Sequence, residues 1–269
     1  MLAALSDLYR HRALVAVLTA RELKARYRGS ALGFFWSLLN PLLMLVVYTI
    51  VFQVIFPNRA LSTRPYALFL FTGLLPWNWL ASSLTDAASS LPTHGALLKK
   101  ILFPAEVLPA VAVLAQGAHF LFAMPVLLVA LVAGAAGAFG TPVPLGLPLL
   151  QVPALLVLEG LFLLGLGLFL AALTVHFRDV KDILSTVLSL WFFATPVLYS
   201  LRDVSSPRLL AALAWNPMGP LFSAWHSALF YGEWVDARTW AEVLAVSLAA
   251  FVLGYAFFHK LRDSYAEAV

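Results

Sequence analysis

Three polar side chains stand where an apolar chain should exclude them. Glu159 closes an uncharged stretch that begins after Glu106, and Gln116 and His119 sit one helical turn apart inside that stretch. A carboxyl in such a setting has two uses. It accepts a hydrogen bond from a neighbouring helix, here from Gln116 or His119, or it relays protons as in an ion-coupled carrier. The lack of a second acidic residue nearby weighs against the relay. Asp86 and Glu106 are expected at helix ends within reach of water. The six histidines (His11, His94, His119, His176, His226, His259) are scattered, without an HExxH pair or a carboxylate cluster, so no metal site is expected. No glycine is followed by lysine, which removes the G-x-x-x-x-G-K-[ST] phosphate cradle. Any ATP must then be bound by another chain. There is no G-x-S-x-G elbow, and Ser223 near His226 reads as helix packing rather than as a nucleophile pair. With no cysteine, disulfide and thiol chemistry are excluded.

The elements that must position these groups belong in a membrane. Of 269 residues, 62% are hydrophobic and 11% charged, against about 25% charged in a soluble domain. That is too little polar surface to clothe a globular fold. A crossing needs about 20 apolar residues, and the uncharged runs place six: about 31–56, 66–86, 107–132, 149–175, 183–201 and 239–258. The third and fourth are parted by "GAAGAFGTPVPLGLP" at 134–148, where glycine and proline mark a turn. The expected fold is therefore an all-α integral membrane protein, a single transmembrane domain over 1–269. Six spans leave both termini on one side. Placing them in the cytoplasm puts twelve of the 17 Lys and Arg residues on the inner side, as the positive-inside rule requires. The net charge of +4 thus reports topology rather than nucleic-acid binding. A cleaved leader is not expected, because the apolar stretch 14–20 is short, Arg21 follows it directly and Asp7 lies in the would-be basic region.

Four segments lie outside the spans. Residues 1–28 are basic and helix-prone, with Arg21, Lys24 and Arg28 on one face and Leu23 and Tyr27 on the other. They suit an amphipathic interface helix whose Arg21, Lys24, Arg26 and Arg28 meet lipid phosphates; a short cytosolic helix is the alternative. Between spans two and three, "HGALLKKILF" is bracketed by Pro92 and Pro104. It reads as a short helix with Leu97, Leu98 and Ile101 on an apolar face and Lys99 and Lys100 on a basic edge, fit for a partner or for a lipid surface. "HFRDVKD" at 176–182 is a tight charged turn. Residues 202–238 hold two apolar pieces, "RLLAALAW" and "LFSAWHSALF", too short to cross; they form either a re-entrant pair or an exterior hairpin.

Several of these stretches coincide in a resemblance. "RELKARYRGSALGFFWSLLNPLLMLVVYTIVF" resembles the start of permease subunits from ABC-2-type polysaccharide exporters, through Arg21, Arg26, Tyr27, Arg28, Ser30, Leu32, Gly33, Trp36, Leu39 and Pro41. "LLKKILFPAEVLP", "FRDV" and "WNPMGPLFSAW" resemble later segments of the same family, in the same order. The resemblance implies a non-enzymatic transport subunit in the bacterial cytoplasmic (inner) membrane. It implies a homodimer above two copies of a nucleotide-binding ABC subunit, with ATP and Mg on that partner and no cofactor on this chain. It makes His94, Gly95, Leu97, Leu98, Lys99 and Lys100 the coupling helix that docks on the ATPase. It also places spans one and five along a channel for a lipid-linked or growing glycan such as O-antigen, capsule or teichoic acid, with 202–238 closing the outer end.

Candidate channel residues are Phe34, Phe35 and Trp36 in span one and Trp191, Phe192, Phe193 and Tyr199 in span five. Sugar C–H faces pack on aromatic planes while hydroxyls exchange partners, so such a lining holds a polymer without trapping it. The same rings also suit an interfacial belt, and only some of three adjacent aromatics can face one way. Pro41 and Pro196 are expected to kink their spans. Competing readings are an ABC-2 exporter of a drug or lipid and an ion-coupled carrier running on Glu159.

Overall fold

The computed structural model describes residues 10–30, 32–55, 65–94, 104–262 and 265. Among them there is no strand; they form helices joined by turns and short irregular stretches. The first helix, α1 (Arg12–Tyr27), ends where Gly29 takes a φ of 79°, the left-handed step that only glycine makes without strain. The Ser30 hydroxyl accepts a hydrogen bond from the Gly33 N–H at 3.2 Å. One 3-10 turn, Gly33–Phe35, then launches α2 (Trp36–Thr49), which runs on into a π turn at Ile50–Ile55. The other helices among the described residues are α3 (Tyr66–Thr93), α4 (Val107–Ala135), α5 (Val152–His176, entered through the 3-10 turn Leu147–Gln151), α6 (Val180–Ala194), α7 (Pro207–Leu213), α8 (Gly219–His226, prolonged by a π turn at Ser227–Tyr231) and α9 (Ala237–Lys260).

Four of these are long and apolar enough to cross a bilayer: α3, α4, α5 with its entry turn, and α9. The stretch Trp36–Phe52 is apolar but shorter. Two boundaries differ from the sequence expectation. Helix α3 runs on to Thr93 with Pro92 in its last turn: the proline forfeits its own N–H bond, but the His94 N–H still closes the turn on the Ser90 and Leu91 carbonyls. Helix α6 stops at Ala194, so Pro196 kinks nothing. Its carbonyl instead accepts from His226 Nε2 at 3.0 Å.

The core forms around α3, which buries most of its circumference and leaves a more polar stripe through Asn78, Ser82 and Thr85 accessible: Leu68, Phe69, Phe71, Leu80 and Leu84 have almost no exposed surface. Helices α4 and α5 flank it, and α8 drives Phe222 and Trp225 into the same core, with Trp77 and Phe222 centroids 5.8 Å apart and Phe120 and Trp225 5.7 Å apart. Helix α7 stays outside, with Trp215 89% exposed just beyond it. Glu106, expected in water, is buried at the start of α4. Val15 of α1 packs on Val107 and Val111 there. Helices α5 and α9 approach most closely: a Cβ on Gly254 would overlap the Gly165 carbonyl, and one on Gly165 would overlap the Ala250 backbone. Small residues at such crossings let two backbones touch. Helix α6 buries only Val180, Leu184 and Leu188, one stripe at four-residue spacing, and leaves Ile183, Val187, Leu190 and Phe193 bare.

Candidate functional site: a polar cleft on α2, α3 and α4

An apolar bundle has few places to put amides and hydroxyls. Here several of them share one cleft of about 420 Å³, lined by Trp36, Ser37 and Asn40 of α2, Asn78, Trp79 and Ser82 of α3, and Gln116, His119 and Phe120 of α4, with Arg26 at the end of α1. The α4 members recur every three or four residues and so face one way. Trp79 is fixed by donating its indole N–H to the Val113 carbonyl at 3.3 Å and by stacking on Phe120 at 5.3 Å.

One carboxylate organises the cleft wall. Asp86 Oδ2 accepts from the Arg26 guanidinium at 3.0 Å and from the Gln116 amide. Three helices thus meet on a single oxygen. The Arg26–Asp86 pair is about 40% exposed on each side, so water screens it and its own contribution is about 0–1 kcal/mol. Its effect is positional, holding the last turn of α1 beside the cleft.

This arrangement corrects the expected pairing of the intramembrane polar groups. Gln116 turns to Asp86, and His119 joins it in the cleft. Glu159 does neither. It is wholly buried and accepts the Trp225 indole N–H at 2.8 Å, which ties α5 to α8.

The span-one aromatics part company. Trp36 lines the polar cleft, whereas Phe35 lines an apolar groove of about 720 Å³ on the opposite side of α2, against Val126 and Val129 of α4. The side chain of Phe34 lies outside the described residues. On α6, Trp191 and Phe192 turn inward to Trp77, at centroid distances of 6.4 and 5.3 Å, and Trp191 donates to Asn216 Oδ1 at 2.9 Å. Phe193 turns outward, and Tyr199 borders a separate cavity beyond the end of α6. The candidate channel residues therefore fall on at least three different surfaces of one chain.

His94 ends α3, its Nδ1 bonded to the Ser90 carbonyl at 2.9 Å. Gly95, Leu97, Leu98, Lys99 and Lys100 lie outside the described residues. Arg21 and Lys24 of α1 and Arg28 just after it are exposed, while Arg26 is engaged with Asp86. Among the described residues, no group of three or more His, Asp or Glu could hold a metal. Sequence reasoning passed over Asn40, Asn78 and Ser82, although an amide within an apolar run is the signal that had singled out Gln116. For Trp225 there was no signal, since tryptophan is at home in a membrane helix.

The profile of the ABC-2 type transporter family matches residues 13–230. The chain is 37% identical over 272 residues to the O-antigen export system permease protein RfbA of Myxococcus xanthus, covering 100% of each. It is 30% identical to the protein of the same name from Klebsiella pneumoniae, over 94% of each. The polysialic acid transport protein KpsM of Escherichia coli is 20% identical, over 93% of this chain and 94% of its own.

Proposed function

The chain belongs to the ABC-2 type transporter family, and from that premise we propose that it is the permease subunit of an ATP-driven polysaccharide exporter, moving a glycan such as O-antigen across the bacterial cytoplasmic membrane. The observation that carries this reading is similarity over the whole chain to O-antigen export permeases. Such a subunit is a multi-pass membrane protein. We assign its six spans to α2, α3, α4, α5, α6 and α9, with both termini cytoplasmic and α7–α8 forming the outer re-entrant pair. Two copies would meet along α2 and α6, whose exposed faces support that pairing. Residues 94–100 would dock on a nucleotide-binding ABC subunit, which holds ATP and Mg; this chain needs no cofactor of its own. The substrate is a lipid-linked glycan.

The cleft suits this work. Asn40, Asn78, Ser82 and Gln116 offer hydroxyl-sized hydrogen-bond partners of both polarities, and Trp36 offers a ring face. Interactions of that kind exchange at little net cost, so a polar polymer can enter the membrane without lodging there. An ion-coupled carrier is not favoured, because Glu159 is enclosed against Trp225 and lines none of the cavities described here. Deleting the gene should remove long-chain polysaccharide from the cell surface, and the wild-type chain should restore it. Surface polysaccharide that survives the deletion would overturn the reading.

A further inference from the structure

At the end of the bundle that carries the α4–α5 turn lies a second cavity, of about 360 Å³. It falls within the about 300–1,000 Å³ range of small-molecule sites. Its walls come from the segment after α6, the π turn after α8 and the strap 233–236 that leads into α9. The strap is held in place. Gln151 donates to the Glu233 carbonyl at 3.1 Å and accepts from the Val235 N–H at 2.9 Å, and the Glu233 N–H reaches the Ser227 carbonyl at 2.9 Å. Gly232, with φ 60°, makes the turn; a Cβ there would press on the Pro144 carbonyl at 2.7 Å. The cavity is therefore preformed.

The chemistry of its lining is specific. Arg202 and Glu233 form a two-pronged pair, Nη1 to Oε1 at 3.0 Å and Nη2 to Oε2, and Arg202 lies 4.0 Å from the Tyr231 ring centroid. The pair cancels its own charge, and Asp236, which caps α9 through Thr239, leaves one further negative charge in the lining, so the cavity does not suit an inorganic anion. Yet a guanidinium has five N–H donors and a carboxylate about four acceptor sites, and mutual pairing uses two of each. Vicinal hydroxyls fit what remains. Trp234, 61% exposed, and Tyr199 supply aromatic faces beside them. A purely apolar ligand would strand the polar pair away from water.

We propose that this cavity is a sugar-binding subsite on the outer face, taking one or two pyranose residues of the emerging polymer between the Arg202–Glu233 pair and the Trp234 and Tyr199 rings. The proposal rests on the export reading and on the orientation given with it. A hold on the outer side keeps the polymer from sliding back between power strokes, which is a function distinct from the closing of an outer gate by α7 and α8.

Because the chain has no cysteine, a single thiol reports cleanly. Ser227→Cys places one in the cavity wall, with Ser223→Cys as a second reporter should the first fail to fold. The full-length protein in nanodiscs is labelled with a membrane-impermeant maleimide. The probe is the host's own surface polysaccharide, freed from lipid by mild acid. Labelling should slow about threefold with the probe at twice its dissociation constant, and Trp234→Ala should abolish that protection. Equal rates with and without probe, protection that survives Trp234→Ala, or a thiol unreactive in both conditions would overturn the subsite. Deletion of the gene tests the export reading separately: loss of surface polysaccharide together with absent protection condemns the subsite alone.

Discussion

Trp225 donates its indole N–H to Glu159 across 66 positions of sequence. The isolated carboxyl was legible as a buried, hydrogen-bonded group, but its partner was not, because a bond between helices has no sequence period. The bond predicts a contrast. Glu159→Gln keeps an acceptor and should leave stability and export near wild type, whereas Glu159→Leu strands the indole N–H and should cost about 1–3 kcal/mol, read as a lower Tm of the purified protein. At the second cavity, hydrogen bonding from Arg202 holds the Glu233 carboxyl below its ordinary value, despite a smaller opposing effect of burial. A depressed folded-state pKa contributes stability that is present above the unfolded pKa and is lost as pH falls through the folded one. The Tm gap between wild type and Glu233→Gln should therefore persist at neutral pH and close only as pH drops below about 4.

Helices α5 and α9 show what a glycine does according to where it faces. Gly165 and Gly254 stand at the crossing, where any Cβ meets backbone, so Gly254→Ala should overpack it and destabilise by about 1–3 kcal/mol. Gly160 lies on the same α5, but a Cβ there finds only ordinary contact with Trp79 at 3.6 Å. Gly160→Ala should be neutral or stabilising by about 0.5–1 kcal/mol, since alanine is the better helix former. Thermal melts should separate the two variants, with Gly254→Ala melting below wild type and Gly160→Ala at or above it. Hydropathy made the long helices legible, because apolar runs reflect the solvent each helix meets. It could not place the ends, as Pro92 and Pro196 demonstrate: the first is absorbed into a last turn, and the second lies beyond one. Nor could it tell which glycines touch a neighbour.

The whole chain resembled its family from motif order alone, and the profile match over 13–230 agrees. The candidate site was less legible. Of the seven channel aromatics read from the sequence, Trp36 lines the cleft, while Trp191 and Phe192 serve the core. Adjacent aromatics look alike in a string, and only the helix rotation separates them. The bare face of α6 carries the assembly argument. Leu190→Cys, 68% exposed in an otherwise cysteine-free chain, should give disulfide-linked dimers on mild oxidation in membranes, and the buried Leu188→Cys should not. Equal yields from both would remove α6 from the interface.

The corner between α1 and α2 has a consequence for inheritance. Arg26 and Trp36 reach the same cleft from either side of it, while Phe35 looks the other way. Each residue turns a helix by about 100°, so one residue inserted at the corner would bring Phe35 to the place of Trp36 and Leu39 to that of Asn40. An irregular stretch on the surface normally drifts in length between relatives. This one is bound to its residue count as tightly as a helix interior, and lineages should vary its side chains before they vary its length.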